Sequence, residues 1–366
     1  MSPAKSADPG SIGLDIDFGQ IHMCQIRQRE HGLYTIVAKT SVSYSGSREE
    51  LLASPKRLKA LIEKGLKDKN FKGRRVAALM PWDDVKIVLL TYKASVSDID
   101  GEVVRMLENH IEGSIGEYVV DYVPVRSNPA DEEHAVVATL SSRDRVNRLL
   151  HTLMDCELDV DSLDIAPTAL RRLVSALYTG RAADNVLMIN CYRDDSYLTV
   201  ISGRRLLFNQ AVEFCESLLL KRVAEKLDIT IESALHLLLS NGFQQQHTLL
   251  SGSATEDSNI AATLLEIVKP CFLDLVEEIN RVLAFTALET HGAPVSRVCL
   301  LGSVAHWPGA QQVLVSLLDF EAPDGQIEFT QVFEDENDNT CVPWSGLFSD
   351  ISIAMGLALR GLVDSK

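Results

Sequence analysis

The sequence predicts an α/β protein made of two similar lobes, the first of which carries a small inserted α+β subdomain. Three observations lead to this fold class. The chain has 366 residues, which is enough for two domains at roughly 150 residues each. A hairpin-like opening at Ile12 is followed about 170 residues later by a second one at Val186. Strand-like and helical hydrophobic periods alternate along the chain.

The first lobe opens with strands joined by a tight turn. Ile12, Leu14 and Ile16 alternate with small or acidic residues, which is the period of a half-buried strand. The turn is formed by Phe18-Gly19-Gln20. The elements predicted next are a strand at 21–27, a strand at 32–43, a helix at 48–65 and a strand at 74–80.

The pattern then changes and predicts the inserted subdomain. Between 85 and 165 the elements follow the order βαββαβ, with an acidic loop at 128–133. The two helices, at 99–111 and 143–156, each carry one apolar stripe, so each has one face to pack on a sheet. We therefore expect a first lobe at 11–168, returning at 345–366, with the insert at about 83–160.

A second lobe is predicted at 180–340, after a polar hinge at 179–184. Its longest helix contains Pro270, where we expect an interruption or a kink. Near its end, a short strand at 297–301 leads into a turn at Gly302. The other predicted elements are strands at 185–190, 196–202 and 205–211 and helices at 216–227, 230–239, 259–286 and 308–318.

Composition and charge exclude several classes of protein. With 51 acidic and 35 basic residues the formal charge is −16, so attraction to nucleic acid or anionic lipid is not expected. The 7 cysteines include no CxxC pair, which argues against a disulfide framework or a structural zinc site. Residues 1–10 lack the apolar core of a signal peptide, and no apolar run reaches 18 residues, so we do not expect the chain itself to cross a membrane.

Taken in order, these pieces resemble the type IV pilus assembly protein PilM family and, more broadly, the actin/FtsA fold, an actin-like (RNase H-like) ATPase fold. The matching segments are 13–17, 106–111, 158–170, 185–200, 277–285 and 298–309. The last two, similar to the family's E-I-Q-R helix and adenosine loop, are the most specific. The insert favours PilM over FtsA or actin, although residues 112–116 replace the family's Pro-Phe-Pro turn.

The resemblance implies a site for ATP and Mg²⁺ in which two hairpin turns bind phosphates, an aspartate holds the metal and a glycine turn accommodates adenosine. Asp15 keeps the metal-binding position, whereas Asp17 replaces a glycine. The second turn reads Asn190-Cys191-Tyr192, and Ser303 replaces the second glycine of the adenosine loop. The candidate nucleotide-binding residues are Asp15, Asp17, Gly19, Asn190, Gly302 and Ser303, and the candidate metal ligand is Asp15.

These replacements argue against ATP hydrolysis. Asp17 adds a negative charge beside the triphosphate, which is unfavourable unless a cation bridges the two. Phe18 replaces a small hydroxyl residue, and His22 replaces the family's lysine. We therefore expect no productive hydrolysis, while nucleotide binding stays open. Asp15 can equally be a hairpin-end carboxylate and Gly302 a structural turn glycine.

The resemblance also implies a function in binding. In the PilM family, a groove between the first lobe and the insert accepts the cytoplasmic tail of the membrane protein PilN. The same role would make this chain a cytoplasmic scaffold of type IV pilus assembly and twitching motility, held at the inner membrane by a PilN-like partner beside other pilus inner-membrane components. We expect the groove near 85–90 and 103–111, and the acidic chain favours a tail carrying Arg or Lys. The sequence leaves open whether the chain forms a homodimer, and nucleic acid is not an expected partner.

Three other functions are kept as alternatives. An active actin-like (ASKHA) ATPase or sugar kinase needs intact glycine turns and a base carboxylate near the γ-phosphate, and the sequence weakens both. A filament-forming FtsA-like protein usually ends in an amphipathic membrane helix, whereas residues 361–366 carry little basic charge. The third alternative is a related type II secretion component.

Overall fold

The computed structural model describes most of the chain. It describes residues 9–17, 19–29, 34–67, 69–125, 132–177, 185–194, 196–203, 205–243, 256–318, 333–335 and 351–362. Phe18, the hinge at 179–184 and most of the acidic loop at 128–133 lie outside these residues. The chain divides into two units, the first formed by Met1–Ala182, Ile201–Phe208 and Phe329–Lys366, and the second by Ala183–Val200 and Asn209–Glu328.

Strands and helices alternate along the chain. The strands are β1 (Ile12–Asp17), β2 (Gln20–Gln28), β3 (Tyr34–Ser43), β4 (Arg75–Leu79), β5 (Lys86–Lys93), β6 (Tyr118–Pro124), β7 (Glu133–Ser142), β8 (Asp159–Asp164), β9 (Asn185–Cys191), β10 (Ser196–Ser202), β11 (Arg205–Val212), β12 (Val295–Gly302) and β13 (Phe333–Asp335). The helices are α1 (Arg48–Leu52), α2 (Pro55–Leu66), α3 (Ile99–Leu107), α4 (Arg143–Asp155), α5 (Ala166–Leu177), α6 (Glu216–Leu227), α7 (Ile231–Ser240), α8 (Glu256–Glu289), α9 (Ala310–Leu317) and α10 (Ser352–Ala358). In the described part of the chain, no helix has the length and hydropathy needed to span a bilayer.

The first unit is built on a six-stranded sheet with the order β13-β3-β2-β1-β4-β8. β1 pairs antiparallel with β2 and parallel with β4, and β4 pairs parallel with β8. Ile12 and Leu14 belong to an apolar cluster that includes residues of α2 and α4. Because successive side chains of a strand point to opposite faces, Gly13 and Asp15 lie on the other face, where α10 packs against β1.

The single helix expected at 48–65 is two helices. Ser47 caps α1 with a capping box, in which its hydroxyl accepts from the Glu50 backbone N–H and the Glu50 carboxylate accepts from the Ser47 N–H. Ser54 has a non-helical backbone conformation, and α2 begins at Pro55. A proline disfavours helical geometry at the preceding residue and suits the first position of a helix, so the Ser54-Pro55 pair separates α1 from α2.

The insert forms a three-stranded sheet of its own, with the order β5-β7-β6. Val103 and Leu107 of α3 are fully buried in its apolar cluster, as the helical stripe predicted. The last strand of the expected βαββαβ unit, β8, does not join the insert sheet. It pairs with β4 in the six-stranded sheet. β6 lies at one edge of the insert sheet, with β7 as its neighbour.

A four-stranded sheet, formed mainly by residues of the second unit, has the order β11-β10-β9-β12. This order repeats β3-β2-β1-β4 of the first unit, and β9 and β12 pair parallel just as β1 and β4 do. The repeated hairpin opening in the sequence therefore reflects a repeated strand order. Helix α8 continues through Pro270 as one helix from Glu256 to Glu289, so the interruption expected at this proline does not occur.

Two glycines allow α10 to pack closely in the first unit. A Cβ atom on Gly13 of β1 would lie 1.9 Å from the Ala354 carbonyl oxygen of α10. A Cβ on Gly356 of α10 would lie 2.1 Å from the Ala169 carbonyl oxygen of α5. Both distances are far below van der Waals contact, so glycine is required at each position for steric reasons.

Replacing Gly356 with alanine is expected to destabilise the first unit. Overpacking a core costs about 1–3 kcal/mol, and here the obstacle is backbone, which cannot rotate away. This cost exceeds the roughly 1 kcal/mol by which alanine is favoured over glycine in a helix. Urea unfolding measures the difference. The matched control is Gly116→Ala, because an added Cβ there meets its nearest atom at 3.5 Å; equal losses in both variants would contradict the prediction.

Candidate functional site

The turn between β1 and β2 places two carboxylates beside each other. Asp15 is 2% exposed, whereas Asp17, two residues further along the same face, is half-buried. Burial raises the pKa of Asp15 well above its ordinary value, Asp17 raises it further, and the Arg48 guanidinium opposes both effects. Gly19, with φ +76°, completes the turn. Asp15, Asp17 and Gly19, predicted as site residues, therefore lie together in the first unit.

Two carbonyl oxygens of this turn accept hydrogen bonds from Tyr44, the residue that follows β3. The Tyr44 backbone N–H donates to the Gly19 carbonyl at 2.8 Å, and the Tyr44 hydroxyl donates to the Asp17 carbonyl at 2.6 Å. At the place of the family's lysine, His22 is buried with Nδ1 2.8 Å from the Ser41 hydroxyl. Arg48 forms an ion pair with Asp83. Adjacent carboxylates suit a cation rather than a phosphate.

The pKa of Asp15 leads to a prediction about pH. Since its pKa is raised in the folded state, ionised Asp15 opposes folding, and this cost is absent below its ordinary value of 3.8 and grows as the pH rises. Asp15→Asn is therefore expected to raise the Tm at pH 7.5, with a gain that shrinks toward pH 4. Exposed Asp121 supplies the control substitution Asp121→Asn. A gain that is constant across this pH range would contradict the prediction.

The remaining candidate residues lie together in the second unit. The parallel pairing of β9 with β12 places Asn190 opposite Leu301 and Cys191 opposite Gly302, and Ser303 follows. Asn190 is 2% exposed, and its Nδ2 has no hydrogen-bond partner among the described residues.

Gly302 is explained by packing alone. It has φ +86°, and a Cβ there would lie 2.1 Å from the Cys191 carbonyl oxygen. Next to it, burial raises the pKa of Glu216, while the Ser303 hydroxyl opposes this shift. The turn thus keeps a glycine that the fold itself requires, and its presence does not indicate a nucleotide. In the described part of the chain, no group of three or more His, Cys, Asp or Glu side chains could hold a metal ion.

A cavity lies elsewhere in the first unit, where the insert sheet meets the six-stranded sheet. Its volume is about 170 Å³, and an apolar cavity of about 150 Å³ holds a benzene molecule, so one leucine, methionine or phenylalanine side chain fits. From the expected groove regions, 85–90 and 103–111, only Val85 contributes to its lining. The lining residues are Met80, Val85, Val119, Asp121, Tyr122, Val123, Val137, Thr139, Leu140, Ser141, Val146, Leu163, Asp164, Ile165, Thr168 and Arg360.

Asp164 forms the polar part of this lining. Its Oδ2 accepts from Arg172 Nη1 at 2.5 Å and from Arg360 Nη1 at 2.9 Å. Its Oδ1 accepts from the Ile165 backbone N–H at 2.8 Å, and the Thr168 hydroxyl lies within hydrogen-bond distance. A carboxylate offers about four lone-pair positions, so Asp164 is fully satisfied although it is almost completely buried.

Sequence reasoning missed this cavity and its charged residues. The signal that could have found them is an acidic residue, Asp164, at the end of a predicted strand, followed by Arg172 within the next helix, most of whose residues are apolar. A buried charge requires a partner, and two such residues in consecutive elements indicate a buried pair. Arg360 lies too far along the chain for the same inference.

Comparisons with known proteins bear on the fold and the family. No curated protein sequence matches the chain. Among solved structures, the PilM-PilN type IV pilus biogenesis complex matches with a TM-score of 0.72 and 16% identity over 96% of this chain and 98% of that chain. The ethanolamine utilization protein EutJ from Carboxydothermus hydrogenoformans matches with a TM-score of 0.52 and 11% identity over 96% of this chain and 90% of that chain.

These structural matches confirm the actin-like α/β fold predicted from the sequence. Identities this low show the fold alone. The family is shown by a sequence comparison, in which the family model described as type IV pilus assembly protein PilM matches residues 13–362. Since that match covers nearly the whole chain, the chain belongs to the type IV pilus assembly protein PilM family.

Proposed function

We propose that this chain serves type IV pilus assembly as a binding scaffold, and that its first unit holds the cytoplasmic tail of a PilN-like inner-membrane protein. The observation that carries the proposal is the 170 Å³ cavity between the insert sheet and the six-stranded sheet. A mostly apolar cavity with a few polar groups is the usual form of a ligand site. The PilM of the PilM-PilN complex, which shares this fold, was solved together with a partner.

The sheet beside the cavity suits an extended peptide. β6 lies at the edge of the insert sheet, and Val119, Asp121 and Val123 present one of its faces to the cavity. An edge strand offers backbone N–H and C=O groups to an added strand, while alternate side chains of that strand fill pockets. A tail bound in this way would place one apolar side chain in the cavity and keep its backbone along β6.

The same proposal assigns no ATP hydrolysis to the chain. The first turn presents Asp15 and Asp17 where the family binds phosphate, and its carbonyl oxygens are bonded to Tyr44. In the second unit, Gly302 packs directly against the Cys191 backbone carbonyl. We infer that the nucleotide site is degenerate and that ATP and Mg²⁺, where they bind, act as ligands and not as substrates. The bound tail then keeps the protein at the inner membrane.

Calorimetric titration tests this function. The full chain is titrated with a synthetic peptide that copies the N-terminal tail of the PilN-like protein encoded beside it, with and without Mg-ATP. We expect one-to-one binding of the peptide and no phosphate release above buffer. A scrambled peptide of the same composition serves as the control. Failure of the tail to bind, or ATP turnover stimulated by it, would reject the scaffold.

A further inference from the structure

Arg360 gives the cavity a charged end. It follows α10, at the far end of the chain from the strands that line the cavity. Its side chain is 38% exposed, whereas the side chain of Arg172, which binds the same Asp164 oxygen, is 6% exposed. Of the two arginines, Arg360 is therefore the one that a ligand in the cavity can reach.

Asp164 binds both Arg172 and Arg360. One carboxylate faces two guanidinium groups, and the more buried partner, Arg172, is also the nearer, at 2.5 Å against 2.9 Å for Arg360. Asp164 has no lone pair left for further donors, as counted above. Arg360 therefore shares the Asp164 carboxylate with Arg172 and donates one N–H group to it.

Most donors of Arg360 are unused. A guanidinium has five N–H groups in a planar fork, and within the described residues Arg360 places one nitrogen, Nη1, on an acceptor. Asp121, the other charged lining residue besides Asp164, is exposed on β6, and its Oδ1 accepts from the Tyr122 backbone N–H at 2.8 Å. No ion pair joins Asp121 to Arg360 in the part of the chain that the structure describes.

We propose that Arg360 is a specificity-determining residue of the cavity and binds an oxygen acceptor of the tail, a carboxylate or carboxamide side chain next to the apolar side chain that fills the cavity. This inference rests on the proposed function. The planar fork of arginine matches such acceptors with two parallel hydrogen bonds. The net negative charge of the whole chain favours basic residues in the tail. At the cavity, the Arg360 guanidinium instead favours a tail side chain with an oxygen acceptor.

A double-mutant cycle tests this pairing. Each Asp, Glu, Asn and Gln of the tail peptide is replaced by alanine in turn, and each peptide is titrated into wild type and Arg360→Gln. We expect Arg360→Gln to weaken binding of the unmodified tail about 10-fold and to have no effect on the one peptide that lacks the acceptor. Arg360→Lys should restore part of the loss. A carboxylate acceptor is distinguished from a carboxamide by a stronger dependence on salt.

Two controls separate specificity from folding. Arg281→Gln removes an exposed arginine of α8 whose partners are Glu277 and Glu278, and it should leave every affinity unchanged. Thermal melting of Arg360→Gln should match wild type, because Asp164 keeps its other three donors. If Arg360→Gln weakens all peptides equally, or none, the inference is wrong while the scaffold stands. If the unmodified tail does not bind wild type, both the proposed function and this inference are wrong.

Discussion

Replacing Val119 with tryptophan is expected to weaken binding of the tail at least about 100-fold, a loss of about 2.7 kcal/mol, without unfolding the chain. Val119 lines the cavity from the edge strand β6 and is 39% exposed. Its position at an edge lets a larger side chain turn toward the open side of the cavity. An indole ring there takes up much of the 170 Å³, and the apolar side chain of the tail loses its binding space.

The matched control is Leu89→Trp. Leu89 is also 39% exposed and lies on β5, at the opposite edge of the same insert sheet, outside the cavity lining. It pairs with Val137, so it is on the same face as the cavity. Calorimetry should show near wild-type affinity for this variant. Comparable losses in both variants would mean that the tail binds across the sheet and not in the cavity.

Much of the fold could be predicted from the sequence because it depends on local patterns. The alternation of Ile12, Leu14 and Ile16 predicts which face of β1 joins the apolar cluster with α2 and α4, and the second opening at Val186 leads to a sheet with the same strand order. The pairing of β8 was harder to predict. Its apolar pattern fits either sheet, and only the tertiary structure places it beside β4.

The candidate sites differ in how much of each could be predicted from the sequence. Asp15 and Gly302 were proposed as site residues by resemblance, and the structure shows that packing alone explains Gly302. The cavity has no such motif, because its lining comes from several different elements and extends along the chain from Met80 to Arg360. The ion pair in its lining joins Asp164 to Arg360, which are 196 residues apart. No periodicity or spacing rule extends over such a distance.

Replacing Asp164 with alanine is expected to destabilise the first unit by about 3–5 kcal/mol, the cost of removing one partner of a buried ion pair. Arg172 would stay buried without this counter-charge, and the Ile165 N–H would lose its acceptor. Urea unfolding followed by tryptophan fluorescence measures the loss. Trp82, buried near the insert, reports on this unit.

The exposed pair of Asp161 with Arg75 supplies the comparison. Arg75 is 64% exposed, and exposed ion pairs contribute at most about 1 kcal/mol, so Asp161→Ala should cost far less than Asp164→Ala. Substituting Asp164 and Arg172 together by leucine and methionine should recover much of the stability, since apolar residues of similar volume can replace a buried pair. If Asp164→Ala costs no more than Asp161→Ala, the Asp164 cluster does not stabilise the first unit as a buried ion pair should, and the prediction is wrong.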